Sequence, residues 1–332
     1  MIETTTGFEP VTVARQGRGR FARSIMLHSL LAALLYVPPL QLFIPTPFFD
    51  AGLRWGRKGA WGAVLGAAAL LGLIAAMLRE PATGIVTVVA SVIFEIGIPA
   101  VFATELIRKR VPFGTVLMFS ILSSVLGFLS IELVMRSAFG ISPYAAVVRS
   151  FQEGSKETVE FYRTSHLIPE EQLQTMQRLS TTIATSYVGL MRVVITATMF
   201  LFSLVLVPRL PAGQVTGDTY LLRNLSLPDP LLFGFVLGGL SLLAPEPWRT
   251  IGLNVLGVVV FLYWLQGLAI FRAILARTKT GVFGTIFAFV MVAVLTPYLI
   301  APFILFLTGL FDPFFDFRHF NRKDDSDESD ID

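Results

Sequence analysis

Two charged side chains lie inside long apolar stretches of this chain. Glu95 lies near the middle of the stretch 84–107, and Arg192 lies inside the stretch 187–207. A charge at such a depth in a membrane costs about 2.5 to 3.5 kcal/mol unless it is paired or hydrated, and a guanidinium cannot be neutralised by losing its proton. Arg192 therefore needs an aqueous pocket or a partner, for which Glu95 and Glu132 are the candidates. Functional and purely structural roles for Glu95 are both open.

A second candidate region is the proline-broken segment 44–56. Its length, about 13 residues at 1.5 Å each, is less than the roughly 30 Å hydrocarbon core, so it is either a short tilted crossing or a re-entrant segment. Irregular backbone at membrane depth is tolerated where protein or a watery cavity surrounds it, so the segment could line a binding cavity, with an interfacial loop as the alternative. Gln266, in the later apolar stretch 251–275, is a further candidate, although a structural hydrogen-bonding role is favoured over ligand binding for this residue. The predicted substrate-cavity residues are Pro45, Pro47, Asp50, Arg54, Glu95, Arg192 and Gln266.

Sequence motifs for enzymatic or metal chemistry are absent. The chain contains no GxxxxGK[ST], HExxH or GxSxG sequence, which argues against a P-loop nucleotide site, a zinc protease and a serine hydrolase. It has no cysteine and only three scattered histidines, which excludes disulfides and thiolate ligands. We therefore expect no catalytic residue, no cofactor and no metal site, and an intramembrane enzyme is the least favoured class. No basic platform interleaved with aromatic residues is present, so no nucleic-acid partner is expected.

The composition indicates which elements must position these residues. The chain is 54% hydrophobic and 15% charged, with a mean hydropathy of +0.70, whereas soluble globular chains carry about 25% charged residues. The predicted fold class is all-α, a polytopic transmembrane helical bundle of about eight to ten spans, some of them short or proline-broken. The bundle carries an extramembrane amphipathic helical insertion, and its surroundings are a lipid bilayer.

The predicted organisation has five segments. Residues 1–23 are polar and basic, 24–141 form a first transmembrane bundle, and 142–184 form the extramembrane insertion. Residues 185–311 form a second group of transmembrane segments, and 312–332 form an aromatic and basic girdle followed by a disordered acidic tail. Small residues spaced four apart let helices approach closely, and the candidate packing positions are Ser29, Ala33, Gly62 and Gly66.

Basic residues near the ends of the spans predict the orientation. If 44–56 crosses the membrane, the clusters at 15–23, 54–58 and 108–110 all fall on the amino-terminal side. Basic residues are enriched on the cytoplasmic side, so the amino terminus is predicted to be cytoplasmic. The insertion 142–184 then lies on the opposite side.

Four sequence runs carry a family resemblance. They are LRWGRKGAWG from Leu53, LPDPLLFG from Leu227, YWLQGLAIF from Tyr263 and GLFDPFFDFR from Gly309. Together they resemble the YybS-like family of bacterial integral membrane proteins, over roughly residues 24–323. That family is in turn similar to the S components of energy-coupling factor vitamin transporters, in which a proline-rich stretch and a glycine-basic-glycine turn follow the first helix. This chain is longer than ordinary S components, with an insertion and further carboxyl-terminal spans.

The resemblance and the intramembrane charges lead to two functional expectations. The first is a transporter-type protein of the bacterial cytoplasmic (inner) membrane that binds a small molecule in an intramembrane cavity. Its partners would be energising transporter subunits or other membrane proteins, and its ligand is not indicated. The alternative is a non-transporting scaffold or assembly protein that recruits partners through the insertion and the tail.

Overall fold

The fold is known from a computed structural model, which describes residues 18–165, 168–212, 219–277 and 300–315, with single positions at 281, 284, 290–292, 294, 296 and 317. Within these residues the chain is helical with no β-strand, so the predicted all-α class is confirmed. Most of residues 281–299, which belong to the second predicted group of transmembrane segments (185–311), lie outside the described residues, as do the basic residues before 18 and the acidic tail after 317.

The described residues form a series of α-helices, numbered in chain order. They are α1 (Arg18–Leu34), α2 (Pro45–Met77), α3 (Ala82–Ala90), α4 (Ile98–Arg108), α5 (Phe113–Phe139), α6 (Pro143–Thr164), α7 (Glu170–Thr182), α8 (Val188–Leu206), α9 (Leu231–Leu240), α10 (Trp248–Arg277) and α11 (Ile300–Phe315). A π-helical turn, Ser91–Gly97, joins α3 to α4, and a second, Ile183–Tyr187, joins α7 to α8.

Five described helical stretches are long and apolar enough to cross a membrane. They are Leu40–Met77, Ala82–Arg108, Phe113–Phe139, Glu170–Arg209 and Trp248–Ala276, and two shorter apolar helices are Leu231–Leu243 and Ile300–Phe315. Large apolar side chains such as Leu133 and Phe233 are exposed on these helices, as expected for surfaces that meet lipid tails instead of water. The protein is therefore a multi-pass helical membrane protein.

Helix α2 folds back on itself at Gly56. This residue has φ 67° and ψ −163°, a conformation essentially restricted to glycine. Gly59 and Ala51 would be about 12 Å apart along a straight helix, yet a Cβ built on Gly59 lies only 2.5 Å from the Ala51 carbonyl oxygen. The helix therefore has a first arm (45–55) and a second arm (57–77), and the predicted broken segment forms the first arm.

Helix α1 packs against both arms of α2. The Ser29 hydroxyl donates to the Ala63 carbonyl oxygen of the second arm over 3.2 Å. Gly66 faces Ser29 and Gly62 faces Ile25 so closely that neither glycine has room for a Cβ, and Ala33 is also buried. The small residues proposed from the sequence thus lie in the contact between α1 and the second arm.

The basic residues around the turn of α2 lie near the other basic clusters. The Trp55 indole N–H donates to the Ser24 hydroxyl at the start of α1 over 2.9 Å. A Cβ on Gly56 would lie 3.4 Å from Nη1 of Arg108, the last residue of α4. The start of α1, the turn of α2 and the end of α4 therefore share one end of the bundle.

The connector after α8 packs into the bundle at this end. Tyr220 and Leu225 are fully buried, and the Tyr220 hydroxyl donates to the Val111 carbonyl oxygen over 2.8 Å. Burial raises the pKa of Tyr220 to about 12, so the phenol keeps the proton that this bond requires.

Candidate functional site

Glu95 lies on the π-helical turn between α3 and α4. Such a turn contains an extra residue, which shifts the helix face that its side chains occupy, and it is frequent at functional sites. Gly127 of α5 packs directly against the Phe94 carbonyl oxygen, at a separation that leaves no room for a side chain. The close approach of α5 brings its next residue, Phe128, to the same place as Glu95.

Glu95 forms an ion pair with Arg192 of α8. The Arg192 Nη2 group donates to Glu95 Oε2, and the Ser91 hydroxyl donates to Glu95 Oε1 over 3.0 Å. The guanidinium carbon of Arg192 lies 3.8 Å from the ring centroid of Phe128, a cation–π contact. Arg192 therefore pairs with Glu95, and not with Glu132.

The ion pair faces a cavity of about 910 Å³. The cavity walls come from the segment between α1 and α2, from α3 and its π-helical turn, and from α5, α6 and α8. Its inner end includes Ser124 and Ile96, which are buried, whereas Val147 of α6 is 41% exposed and Ile195 of α8 is 51% exposed. The cavity therefore runs from an open side between α6 and α8, its mouth, into the transmembrane bundle.

One face of α6 forms part of the cavity wall. Pro143, Ala146, Val147, Ser150 and Phe151 all line the cavity, and their three- and four-residue spacing places them on one side of a helix. The insertion therefore contributes to the site, a role that its amphipathic pattern alone did not reveal.

Glu132 of α5 fixes the start of α6. Its carboxylate accepts the Ser142 hydroxyl over 2.5 Å and the Tyr144 backbone N–H over 2.8 Å. A negative charge at a helix N-terminus satisfies free N–H groups and is favoured by the helix dipole. The sequence offers Glu132 as a possible partner of Arg192, whereas in the structure Glu132 holds the start of α6, the helix that forms part of the cavity wall.

Asp50 and Arg54 lie in a separate cluster between α1 and the first arm of α2. Asp50 Oδ2 accepts from His28 Nε2 and from Arg54 Nε, each over 2.8 Å. His28 Nδ1 lies 2.6 Å from the Ser24 carbonyl oxygen, so the ring donates to both acceptors only when both nitrogens carry protons. Neither Asp50 nor Arg54 lines the cavity, and the cluster ties α1 to the first arm.

The remaining predicted cavity residues also lie elsewhere. Pro45 and Pro47 are buried in the first turn of α2, and the neighbouring Ile44 lines the cavity in their place. Gln266 of α10 is 1% exposed, accepts the Leu227 backbone N–H over 3.0 Å and donates to Asp312 over 3.1 Å. Its contacts are those of a structural hydrogen-bonding residue joining α10, α11 and the connector.

The charged groups that face the cavity form one ion pair and do not make up a set of ligands for a metal ion. No group of three or more His, Cys, Asp or Glu side chains that could hold a metal ion occurs in the described part of the chain. The cavity instead offers one balanced ion pair, several hydroxyl groups and an apolar remainder, an arrangement typical of small-molecule sites.

Comparisons with known proteins place the chain in a family. The model of the family described as "Predicted membrane protein (DUF2232)" matches residues 25–313. No curated protein and no solved structure matches the chain significantly. The matched region includes every helix from α2 to α10, the cavity and the ion pair. The chain therefore belongs to the DUF2232 family of predicted membrane proteins.

Proposed function

We propose that this protein binds a small solute in the cavity at Glu95 and Arg192 and takes part in its transport. The observation that carries the proposal is that the ion pair faces about 910 Å³ of open volume. An ion pair that served only to join helices could be enclosed by packed side chains, without a cavity beside it. Intramembrane charges that face a cavity are typical of substrate pathways.

The energy for movement is proposed to come from separate subunits, because the sequence has no P-loop motif GxxxxGK[ST]. The YybS-like and S-component resemblance supports this division of labour, and the Gly56 turn lies within the glycine-basic-glycine run that carries it. In this role the protein binds and releases the solute without changing it chemically. Affinity purification from native membranes should retain a nucleotide-hydrolysing subunit, and its consistent absence would contradict this part of the proposal.

The proposed location is the bacterial cytoplasmic membrane, with the amino terminus in the cytoplasm. Support comes from the shared end of the bundle that holds Arg54, Arg57, Lys58 and Arg108, because basic residues favour the cytoplasmic side. Helix α5 starts close to that end and leads away to α6. The cavity mouth would then open on the external side of the membrane.

A thiol-protection experiment tests solute binding. The chain has no cysteine, so Ser150→Cys introduces a single thiol at the cavity mouth. Thr158→Cys places a matched thiol on the same helix, outside the cavity lining. Each variant is reconstituted in nanodiscs and treated with a membrane-impermeant maleimide in the presence of amino acids, nucleosides, water-soluble vitamins or organic acids.

A bound solute should slow the modification of Ser150→Cys several-fold and leave Thr158→Cys unchanged. Ser124→Phe, which fills the inner end of the cavity, should remove the protection. The proposal is wrong if no compound slows Ser150→Cys selectively. In intact cells, Thr158→Cys should react with the impermeant reagent if the insertion is external, and a lack of reaction until the cells are opened would contradict the proposed orientation.

A scaffold function remains the second candidate because of the exposed apolar side chains on the insertion. Phe161 of α6 is 63% exposed and Leu179 of α7 is 58% exposed, and neither lines the cavity. A scaffold should lose its function in the double variant Phe161→Ser, Leu179→Ser and keep it in Ser150→Trp, which obstructs the mouth. A solute-binding protein should show the reverse pattern.

A further inference from the structure

Of the two charged groups in the cavity, only Arg192 has hydrogen-bond donors without a partner in the described part of the chain. Both oxygens of Glu95 already accept, one from Ser91 and one from Arg192. Arg192 uses only Nη2 in this way, and its Nε and Nη1 make no hydrogen bond to any residue within the described ranges. Its side chain is 29% exposed, compared with 12% for Glu95. The free donors of a guanidinium can only be met by an acceptor, and an anion is the strongest one.

Hydroxyl groups around Arg192 can complete such a contact. Tyr36, Ser124 and Thr196 line the cavity, and their hydroxyl groups make no hydrogen bond to a residue in the described part of the chain. Tyr36 lies within electrostatic range of both Glu95 and Arg192. A hydroxyl can donate as well as accept, so each of these groups can turn its proton toward a ligand oxygen.

The rest of the cavity is apolar. The apolar side chains that line it include Leu42, Ile44, Val194, Ile195 and Met199, together with aliphatic and aromatic groups of α6. A small hydrophilic ion would leave this surface covered by water and gain little from it. A ligand with an apolar body gains about fourfold in affinity for each methylene that it buries.

We infer that the ligand is an amphipathic anion, with a carboxylate or phosphate group at Arg192 and an apolar body along α8 and α6. This inference rests on the proposed solute-binding function and narrows it to a substrate class. Glu95 then has a second role as the counter-ion that holds Arg192 in place while the cavity is empty. The Glu95 carboxylate repels the ligand anion and keeps Nη2 of Arg192 engaged, which limits the affinity and permits release.

Three probes of equal chain length separate this inference from general solute binding. Octanoate, octylamine and 1-octanol carry an anionic, a cationic and a neutral head group, and each is tested in the Ser150→Cys protection assay in zwitterionic nanodiscs. Octanoate should protect at a concentration at least about tenfold lower than the other two, as expected for one charge-assisted contact. Equal protection by octanoate and 1-octanol would overturn the inference and leave solute binding intact.

Variants of the ion pair give predictions in opposite directions. Arg192→Met should abolish the preference for octanoate, whereas Arg192→Lys, which keeps the charge, should retain part of it. Glu95→Gln releases the guanidinium and should strengthen octanoate protection about tenfold, a change that a purely structural ion pair would not produce. Unchanged or weaker octanoate protection in Glu95→Gln, measured on protein shown to be folded, would contradict the inference.

The anion could come from the aqueous phase or from the membrane. A second arm replaces octanoate by lysophosphatidic acid incorporated in the nanodisc, with lysophosphatidylcholine as the zwitterionic control. Selective protection by octanoate alone assigns a soluble organic acid, and selective protection by lysophosphatidic acid assigns a lipid head group. If no amphiphile protects while a compound of the metabolite panel does, the substrate class is wrong and the proposed function stands. If nothing protects, both fail.

Discussion

Replacement of Arg192 by methionine should destabilise the protein more than neutralisation of its partner Glu95. The Glu95 side chain is only 12% exposed and Arg192 is 29% exposed. In Arg192→Met the carboxylate keeps only the Ser91 hydroxyl at 3.0 Å, so a largely buried charge loses its compensation. In Glu95→Gln the guanidinium keeps the Phe128 ring and the open volume of the cavity.

The magnitudes follow from the exposure of the pair. Removal of one partner of a fully buried ion pair costs about 3–5 kcal/mol, and partial exposure of Arg192 reduces that cost. We expect a loss of about 2–3 kcal/mol in the free energy of unfolding for Arg192→Met. For Glu95→Gln we expect about 1 kcal/mol, the value of one net hydrogen bond. The double variant should lose about 1–2 kcal/mol less than the sum, because contacting residues are not additive.

The assay is equilibrium unfolding of the purified protein in mixed micelles, with the four proteins of a double-mutant cycle measured together. Arg149→Met is the matched control, because Arg149 is exposed on α6 and forms no ion pair within the described ranges. Its effect should stay within about 0.5 kcal/mol. The reasoning is refuted if Arg192→Met costs no more than this control, or if the effects of the two substitutions in the pair simply add.

Three further substitutions, one of them with a matched control, test the elements around the site. Gly56→Ala places a side chain at φ 67° and ψ −163° and should cost about 1–3 kcal/mol in unfolding free energy. Gly127→Ala should cost a similar amount, because its Cβ would collide with the backbone of the π-helical turn. The control is Gly154→Ala on α6, where an added Cβ meets nothing within 4 Å, and this change should be neutral or stabilising by up to about 1 kcal/mol. Glu132→Ala removes two acceptors from the start of α6, and hydrogen exchange at the Tyr144 amide should become faster; unchanged exchange would show that the carboxylate does not hold α6 in place.

The intramembrane polar residues show how much of the candidate site could be predicted from the sequence. Glu95, Arg192 and Gln266 were selected because a polar group in an apolar stretch is costly unless it has a partner, whereas Asp50 was selected with the proline-broken segment 44–56. These criteria located residues with important contacts, and each has a specific partner in the structure. They could not separate residues that line a cavity from residues that join helices, because the cost of burial depends on the residue type, whereas the partner depends on the fold. The single predicted cavity therefore corresponds to one cavity, at Glu95 and Arg192, and to two separate structural clusters, at Asp50 and at Gln266.

The sequence by itself determined the membrane class, the helical content and the interruption around the first arm of α2, because these depend on local hydropathy and on prolines. Only the tertiary structure decided that Arg192 pairs with Glu95, which is 97 residues away, and that Glu132 accepts hydrogen bonds from the start of α6. Both carboxylates lie in apolar stretches and are chemically equivalent partners. The selection between them comes from the π-helical turn and the close approach of α5, which fix the distance and the direction of each side chain.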